Sequence, residues 1–228
     1  MTEIYHVINR GVDKRKIFLD EQDYLRFVHD LFEFNDEELV NTTYYKFQKI
    51  KNNVIARRKI EIPIKPRRFL VNILSFCLMP NHYHLLLTPK VEKGVSRFMK
   101  KVNMGYARYF NERYGRKGAL FEGRFKSITI KNEAHFIHIP YYIHLNPLDL
   151  VSPTWRNREL KNYSEAIKFL ENYRWSSYLD YIGNKNFPSV TQRELLKKFY
   201  NSPQEYKKRI SGWLKDLDIE SIKEFSLE

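Results

Sequence analysis

The stretch that most constrains this chain is MPNHYHLLL, Met79 to Leu87, which sets His82 and His84 two positions apart at the start of an apolar run. In a β-strand, residues i and i+2 point to one face, so the two imidazoles converge; on a helix the same spacing splays them apart. Leu85, Leu86 and Leu87 favour a buried strand, and Met-Pro-Asn just before reads as a turn. Upstream, Val71 to Leu78 is a second strand-like run, so 71–87 is expected to form a hairpin with paired histidines near its bend. Two neutral imidazoles on one face can hold a divalent metal. An isolated His-x-His is common, and hydrogen-bonded polar side chains explain most of them, so a metal role rests on what the rest of the chain adds.

Charge is the first addition. Forty Lys+Arg against 27 Asp+Glu give a formal net charge of +13, and nucleic acid is the default partner for such an excess. A solvated basic surface would explain the charge alone, but the excess is uneven. Residues 1–150 hold 26 Lys+Arg and 16 Asp+Glu, whereas 151–228 hold 14 and 11, so the partner is expected to face the first part. Sixteen Tyr and 16 Phe supply faces on which unpaired bases can stack. The single Cys77 excludes an intramolecular disulfide and a cysteine-rich zinc module, and reads as a small core residue. No apolar run approaches membrane-spanning length and no signal-peptide core opens the chain, so the expected location is the cytoplasm, at the nucleoid, without a membrane partner.

Ile4 to Asn9 alternates as a strand and leads into a turn, residues 10–16, carrying four basic side chains. Asp20 to Phe34 has apolar residues at 24, 25, 27, 28, 31 and 32, the stripe of an amphipathic helix. Residues 35–68 lose that pattern; from Lys46 to Arg68 there are nine Lys+Arg and one acid, Glu61, which reads as an extended basic insertion. Val95 to Tyr114 is a second helix, Phe125 to Ile130 another strand, and Asn132 to Asn146 a third helix with Asn132 as its cap and Pro147 just past its end. Pro140 inside it removes the hydrogen bond to the Phe136 carbonyl and should kink or restart the helix. The order strand, helix, two strands, helix, strand, helix implies an α+β sandwich of ferredoxin-like, RRM-like type, an antiparallel sheet with helices on one face. Residues 1–150 form that unit, with the basic insertion at about 35–68. Residues 151–228 read as a small C-terminal extension, irregular around Trp155, Trp175 and Tyr178 and then helical at about 191–200 and 203–215.

Tyr142 and Asn146 lie four residues apart on the last core helix and share a face; His138 joins it one turn earlier if Pro140 keeps the register. A phenol beside an amide oxygen, delivered to two strand imidazoles, would make a phosphodiester-cleaving site. A free tyrosine has a pKa of about 10, and a nearby divalent cation is the simplest aid to its ionisation. Any one Tyr among 16 is otherwise a core or surface residue. A cupin-like site would want a glutamate soon after His84, where Leu-Leu-Leu-Thr follows, and a zinc site from Cys77, His82 and His84 lacks a fourth ligand. Arg10, Lys14, Arg15, Arg124 and Lys126, near strand ends, are the expected DNA-phosphate contacts.

YHVINRG (5–11), MPNHYHLLL, FEGRFKS (121–127), YIHLNP (142–147) and WSSYLDYIG (175–183) together resemble the single-tyrosine transposases of the HUH class, and most of all the REP-associated tyrosine transposases, over roughly residues 4 to 183. The resemblance implies cleavage and rejoining of single-stranded or hairpin DNA through a 5′-phosphotyrosine, with Mg²⁺ or Mn²⁺ and no nucleotide, by a monomer or homodimer. By position it makes Tyr142 the nucleophile and His82, His84 and Asn146 the metal ligands; Tyr141 competes but sits one residue out of phase with Asn146. Two classes of function follow: a DNA transesterase, or a catalytically retired protein that binds hairpin DNA or RNA without chemistry.

Overall fold

The computed structural model describes residues 3–38, 45–50, 53–58, 66–131, 133–157 and 159–216. Four strands, β1 (Ile4–Arg10), β4 (Val71–Met79), β5 (His82–Pro89) and β6 (Lys126–Ile130), form an antiparallel sheet in the order β4-β5-β1-β6. Strands β2 (Tyr45–Ile50) and β3 (Asn53–Arg58) form a separate hairpin within the basic insertion. The rest of that insertion between 39 and 65 lies outside the described residues. At its base, Asn35 accepts hydrogen bonds from the Leu70 and Val71 amides, Arg67 stacks on Phe32, and Arg68 pairs with Glu37 at 2.6 Å.

Helix α1 (Glu21–Glu33) starts where the Asp20 carboxylate accepts from the Gln22 and Asp23 amides, a side-chain cap for donors the helix cannot use itself. Its buried stripe, Phe27, Val28 and Leu31, packs with Val102, Tyr106 and Phe110 of α2 (Gly94–Arg113) on one face of the sheet, over Val7, Tyr83, Leu85 and Leu87. Alternate residues of the same strands face the other way. There Leu74, Cys77 and Met79 of β4 and Leu86 of β5 meet α3 (Glu133–Leu145) and the C-terminal segment. A bulge between Ile73 and Ser75 shifts the parity of β4, and this puts Cys77 and Met79 opposite His84 and His82.

The α+β class and the antiparallel sheet are as expected, but helices cover both faces. Only α1 and α2 share one face; α3 takes the other, because β4 and β5 are apolar on both sides and neither side can be left in water. The C-terminal segment is no loose appendage. It seals the open edge of β4: the Leu78 amide donates to Trp175 O, Ser177 N to Phe76 O, and Ile73 N to the Gln192 side chain. The region around Trp155 that reads as irregular is followed by α4 (Tyr163–Asn172), capped by Asn162. A single turn, α5 (Tyr178–Tyr181), comes next; the helix expected at 191–200 is only α6 (Glu194–Lys197), and α7 (Pro203–Lys215) falls where expected. α3 runs through Pro140 without restarting. The Tyr200 hydroxyl donates to Ile137 O at 3.0 Å, a neighbour of the carbonyl that Pro140 deprives of its donor. The expected cap Asn132 lies outside the described residues. Among the described residues no helix is long and apolar enough to cross a membrane.

Candidate active site

β5 leaves the two-residue Pro80-Asn81 turn with His82 and His84 on the face covered by α3, their rings 5.0 Å apart and nearly perpendicular. The turn is fixed from outside: its carbonyls accept from the Gly11, Ile17 and Phe18 amides of the loop after β1. Gly11 has to be glycine for that approach, since a Cβ there would stand 2.4 Å from Arg15 O. Asn81 Oδ1 accepts from His82 Nδ1 at 2.7 Å, which in the neutral ring leaves the lone pair on Nε2.

A third histidine joins them. His6 pairs with Leu86 across β1 and β5, which puts it diagonal to His84 on the same face. His6 Nε2 and His84 Nδ1 are 3.0 Å apart and the rings stack at 5.2 Å, so His6 fixes the orientation of His84. The sequence reading gave His6 no role; the alternation of β1 could have placed it on a face, but not which strand it would pair with.

Tyr142 comes down from α3 onto these rings, 6.0 Å from both His84 and His6 and edge-on to each. It is fully buried, as are His6, His84 and Asn146. Tyr141, one residue back, points elsewhere, into Tyr200, Tyr206 and Trp213, and burial raises its pKa above the usual phenol value. His138 follows Tyr141: it stacks on Trp213 at 5.9 Å and does not join the expected face. Asn146 is engaged at both ends of its amide. Nδ2 donates to Tyr142 O at 2.9 Å, and Oδ1 accepts from Arg156 at 2.7 Å. Arg156, which nothing in the sequence singled out, also lies 5.5 Å from the Tyr142 ring centre, stacks on Trp155 and pairs with Asp149.

Among the described residues, no group of three or more His, Cys, Asp or Glu is arranged to hold a metal ion. The donor set still fits a divalent ion in part: two imidazoles oriented by neighbours, with the Asn146 oxygen available to it once Arg156 lets go. Of the expected DNA contacts, Arg10 is the register partner of His82, and Arg124 and Lys126 line a cavity with it. Lys14 and Arg15 sit in the loop bound to the Pro80-Asn81 turn, where Asn81 Nδ2 donates to Lys14 O and Arg15 pairs with Asp13. All five stand around the end of the sheet at which β5 begins.

The C-terminal segment holds α3 from behind. Buried His144 is bonded through Nδ1 to the Tyr206 hydroxyl at 2.5 Å and through Nε2 to Ser177 Oγ at 2.8 Å, and burial lowers its pKa to about 3. The WSSY stretch therefore anchors the helix that carries Tyr142.

Fold and site define an α+β protein in which a paired-histidine strand faces a tyrosine-bearing helix. Residues 36–146 match the family described as "Transposase IS200 like", and over that segment the chain belongs to it. No curated protein matches the chain. A solved structure titled "Structure of the REP associates tyrosine transposase bound to a REP hairpin" is similar with a TM-score of 0.47 and 13% identity, covering 83% of this chain and 84% of that one.

Proposed function

We propose that the chain is a metal-dependent single-stranded DNA transesterase, a transposase-type enzyme that nicks and rejoins DNA at hairpin-forming repeats through a 5′-phosphotyrosine. The observation that carries this reading is the meeting of Tyr142 with His84 at 6.0 Å beneath a helix that also bears Asn146, within a segment of the transposase family. Residues 1–150 supply the chemistry in this reading, and 151–228 hold the nucleophile helix.

Tyr142 Oη attacks the scissile phosphorus; a bond from Oη to phosphorus forms, the bond to the 3′-oxygen breaks, and the phenolic proton ends on the departing 3′-hydroxyl. The phosphodiester is exchanged rather than spent, so the reverse step needs only a 3′-hydroxyl strand and no ATP. His82, His84 and Asn146 would hold Mg²⁺ or Mn²⁺, which when bound supplies Lewis acidity toward a phosphate oxygen. Lys14, Arg15 and the basic end of β1 orient the strand through its phosphates.

A second reading, hairpin DNA or RNA binding without chemistry, is favoured by the burial of Tyr142 and the engagement of Asn146 Oδ1 by Arg156. One experiment separates them. End-labelled hairpin oligonucleotides are incubated with and without Mn²⁺, run on denaturing gels, and any adduct is mapped by peptide analysis. Wild type and Tyr141→Phe should form an adduct on Tyr142, while Tyr142→Phe should bind DNA and form none. An adduct on Tyr141, or cleavage that survives Tyr142→Phe, overturns the assignment; binding without any adduct supports the second reading.

A further inference from the structure

Beside the histidines, the sheet end opens into a cavity of about 240 Å³ lined by Asn9, Arg10, Glu122, Gly123, Arg124 and Lys126. Arg10 is the register partner of His82, so the cavity adjoins the candidate active site. The Nε–H of Arg10 is buried and has no hydrogen-bond partner among the described residues. A buried donor left unmade bears its full desolvation penalty, and such an orphan at a cavity wall calls for an acceptor from outside the chain.

The other groups narrow what that acceptor belongs to. The Asn9 amide is occupied, Nδ2 donating to Gly123 O and Oδ1 accepting from Arg10 N. Glu122 is held across from Arg10 by its own amide, which donates to Arg10 O at 2.9 Å, and among the described residues its carboxylate makes no ion pair with Arg10, Arg124 or Lys126. A phosphate alone would satisfy the cations but face Glu122 as a like charge, and it would underfill the space. The cavity wants acceptors on one edge and donors on the next.

We propose that this cavity reads one unpaired guanine of the DNA strand, with Arg10 and Glu122 as the specificity-determining pair. Guanine O6 and N7 are the acceptors an arginine fork reaches together. Its N1–H and N2–H₂ are adjacent donors that one carboxylate can accept together, a pair no other standard base offers. Arg124 and Lys126, both exposed, neutralise the adjoining phosphates. This inference rests on the single-stranded DNA reading and adds a base preference to it.

The test is anisotropy binding to the full-length Tyr142→Phe protein without metal, so that binding is read apart from cleavage. The probes are oligo-dT strands carrying one central guanine, adenine, cytosine, inosine or 7-deazaguanine. One guanine should tighten binding about tenfold over plain oligo-dT, the size of one good bidentate base contact. Inosine, which lacks N2, and 7-deazaguanine, which lacks N7, should each lose most of that gain. Glu122→Gln should erase the preference for guanine over inosine while plain oligo-dT still binds within about twofold. Equal binding of all strands, or an unchanged guanine preference in Glu122→Gln, overturns the guanine pocket and leaves the DNA reading standing. Failure of every strand to bind removes the DNA reading itself, and the pocket with it.

Discussion

On one face of the sheet, Val7, Leu85 and Leu87 meet Phe27 and Tyr106 in a core assembled from shape and apolar area. On the other, His6, His84, Tyr142 and Asn146 are equally buried, yet each is oriented by a hydrogen bond or a ring contact. The two sets alternate along the same strands, so neighbouring residues belong to different regimes. Apolar packing is non-directional and accepts partners from any helix of the right volume. A buried polar group needs a particular atom at a particular place, and here those atoms come from outside β5: Asn81 from the turn, His6 from β1 and Arg156 from beyond α3. Stability should therefore reside mainly on the first face and chemistry on the second.

The sharpest way to break that division is to mutate adjacent residues of β5. His84→Ala should reduce DNA cleavage to background while DNA binding remains. Leu85→Ala should cost about 2–5 kcal/mol of stability, as large-to-small core changes do, with cleavage retained where the protein stays folded. Denaturant melts and nicking assays on both variants check this; a Leu85→Ala protein that is stable but inactive would mean that the two faces are coupled.

pH sharpens the comparison from behind the site. His144 stays neutral in the fold down to about pH 3, against an ordinary value of 6.5, because it is buried between Tyr206 and Ser177. Unfolding then takes up a proton between those values. Stability should be independent of this group above pH 6.5 and fall as the pH drops from 6.5 toward 3, by up to about 1.4 kcal/mol per unit. Urea melts at pH 7 and pH 5 should show the drop in wild type and a smaller one in His144→Asn. Equal slopes would mean that other groups set the acid limit.

The smallest expected effect concerns Arg156. Arg156→Gln removes a cation from the Asn146 oxygen and should tighten Mn²⁺ binding in the absence of DNA by about tenfold, the lower end of what outer contacts do to a metal site. Calorimetry reads this directly. Unchanged affinity would show that Asn146 is not withheld by Arg156.

What could be read in the sequence is what the backbone's own periods dictate. A strand repeats every two residues, so His82 and His84 had to share a face once β5 existed; a helix repeats every 3.6, so Tyr142 and Asn146 had to share one, with Tyr141 turned away. The Asp20 cap, the two-residue hairpin bend and the apolar stripe of α1 are local in the same sense, needing only neighbours in sequence.

Tertiary structure decided everything that depends on which element lies beside which. That His6 sits diagonal to His84 follows from the β1–β5 register, and no periodicity within β1 contains it. α3 covers the second face because β4 and β5 bury both their sides, while the bulge at Ile73/Ser75 determines which residues of β4 join the histidines. Pro140 argues locally for a broken helix; packing against Tyr200, Tyr206 and Trp213 holds it continuous, since buried area on that scale outweighs one lost backbone bond. Arg156 reaches Asn146 only because the chain after α3 folds back on itself, a contact fixed by long-range packing that ten residues of sequence separation do not encode.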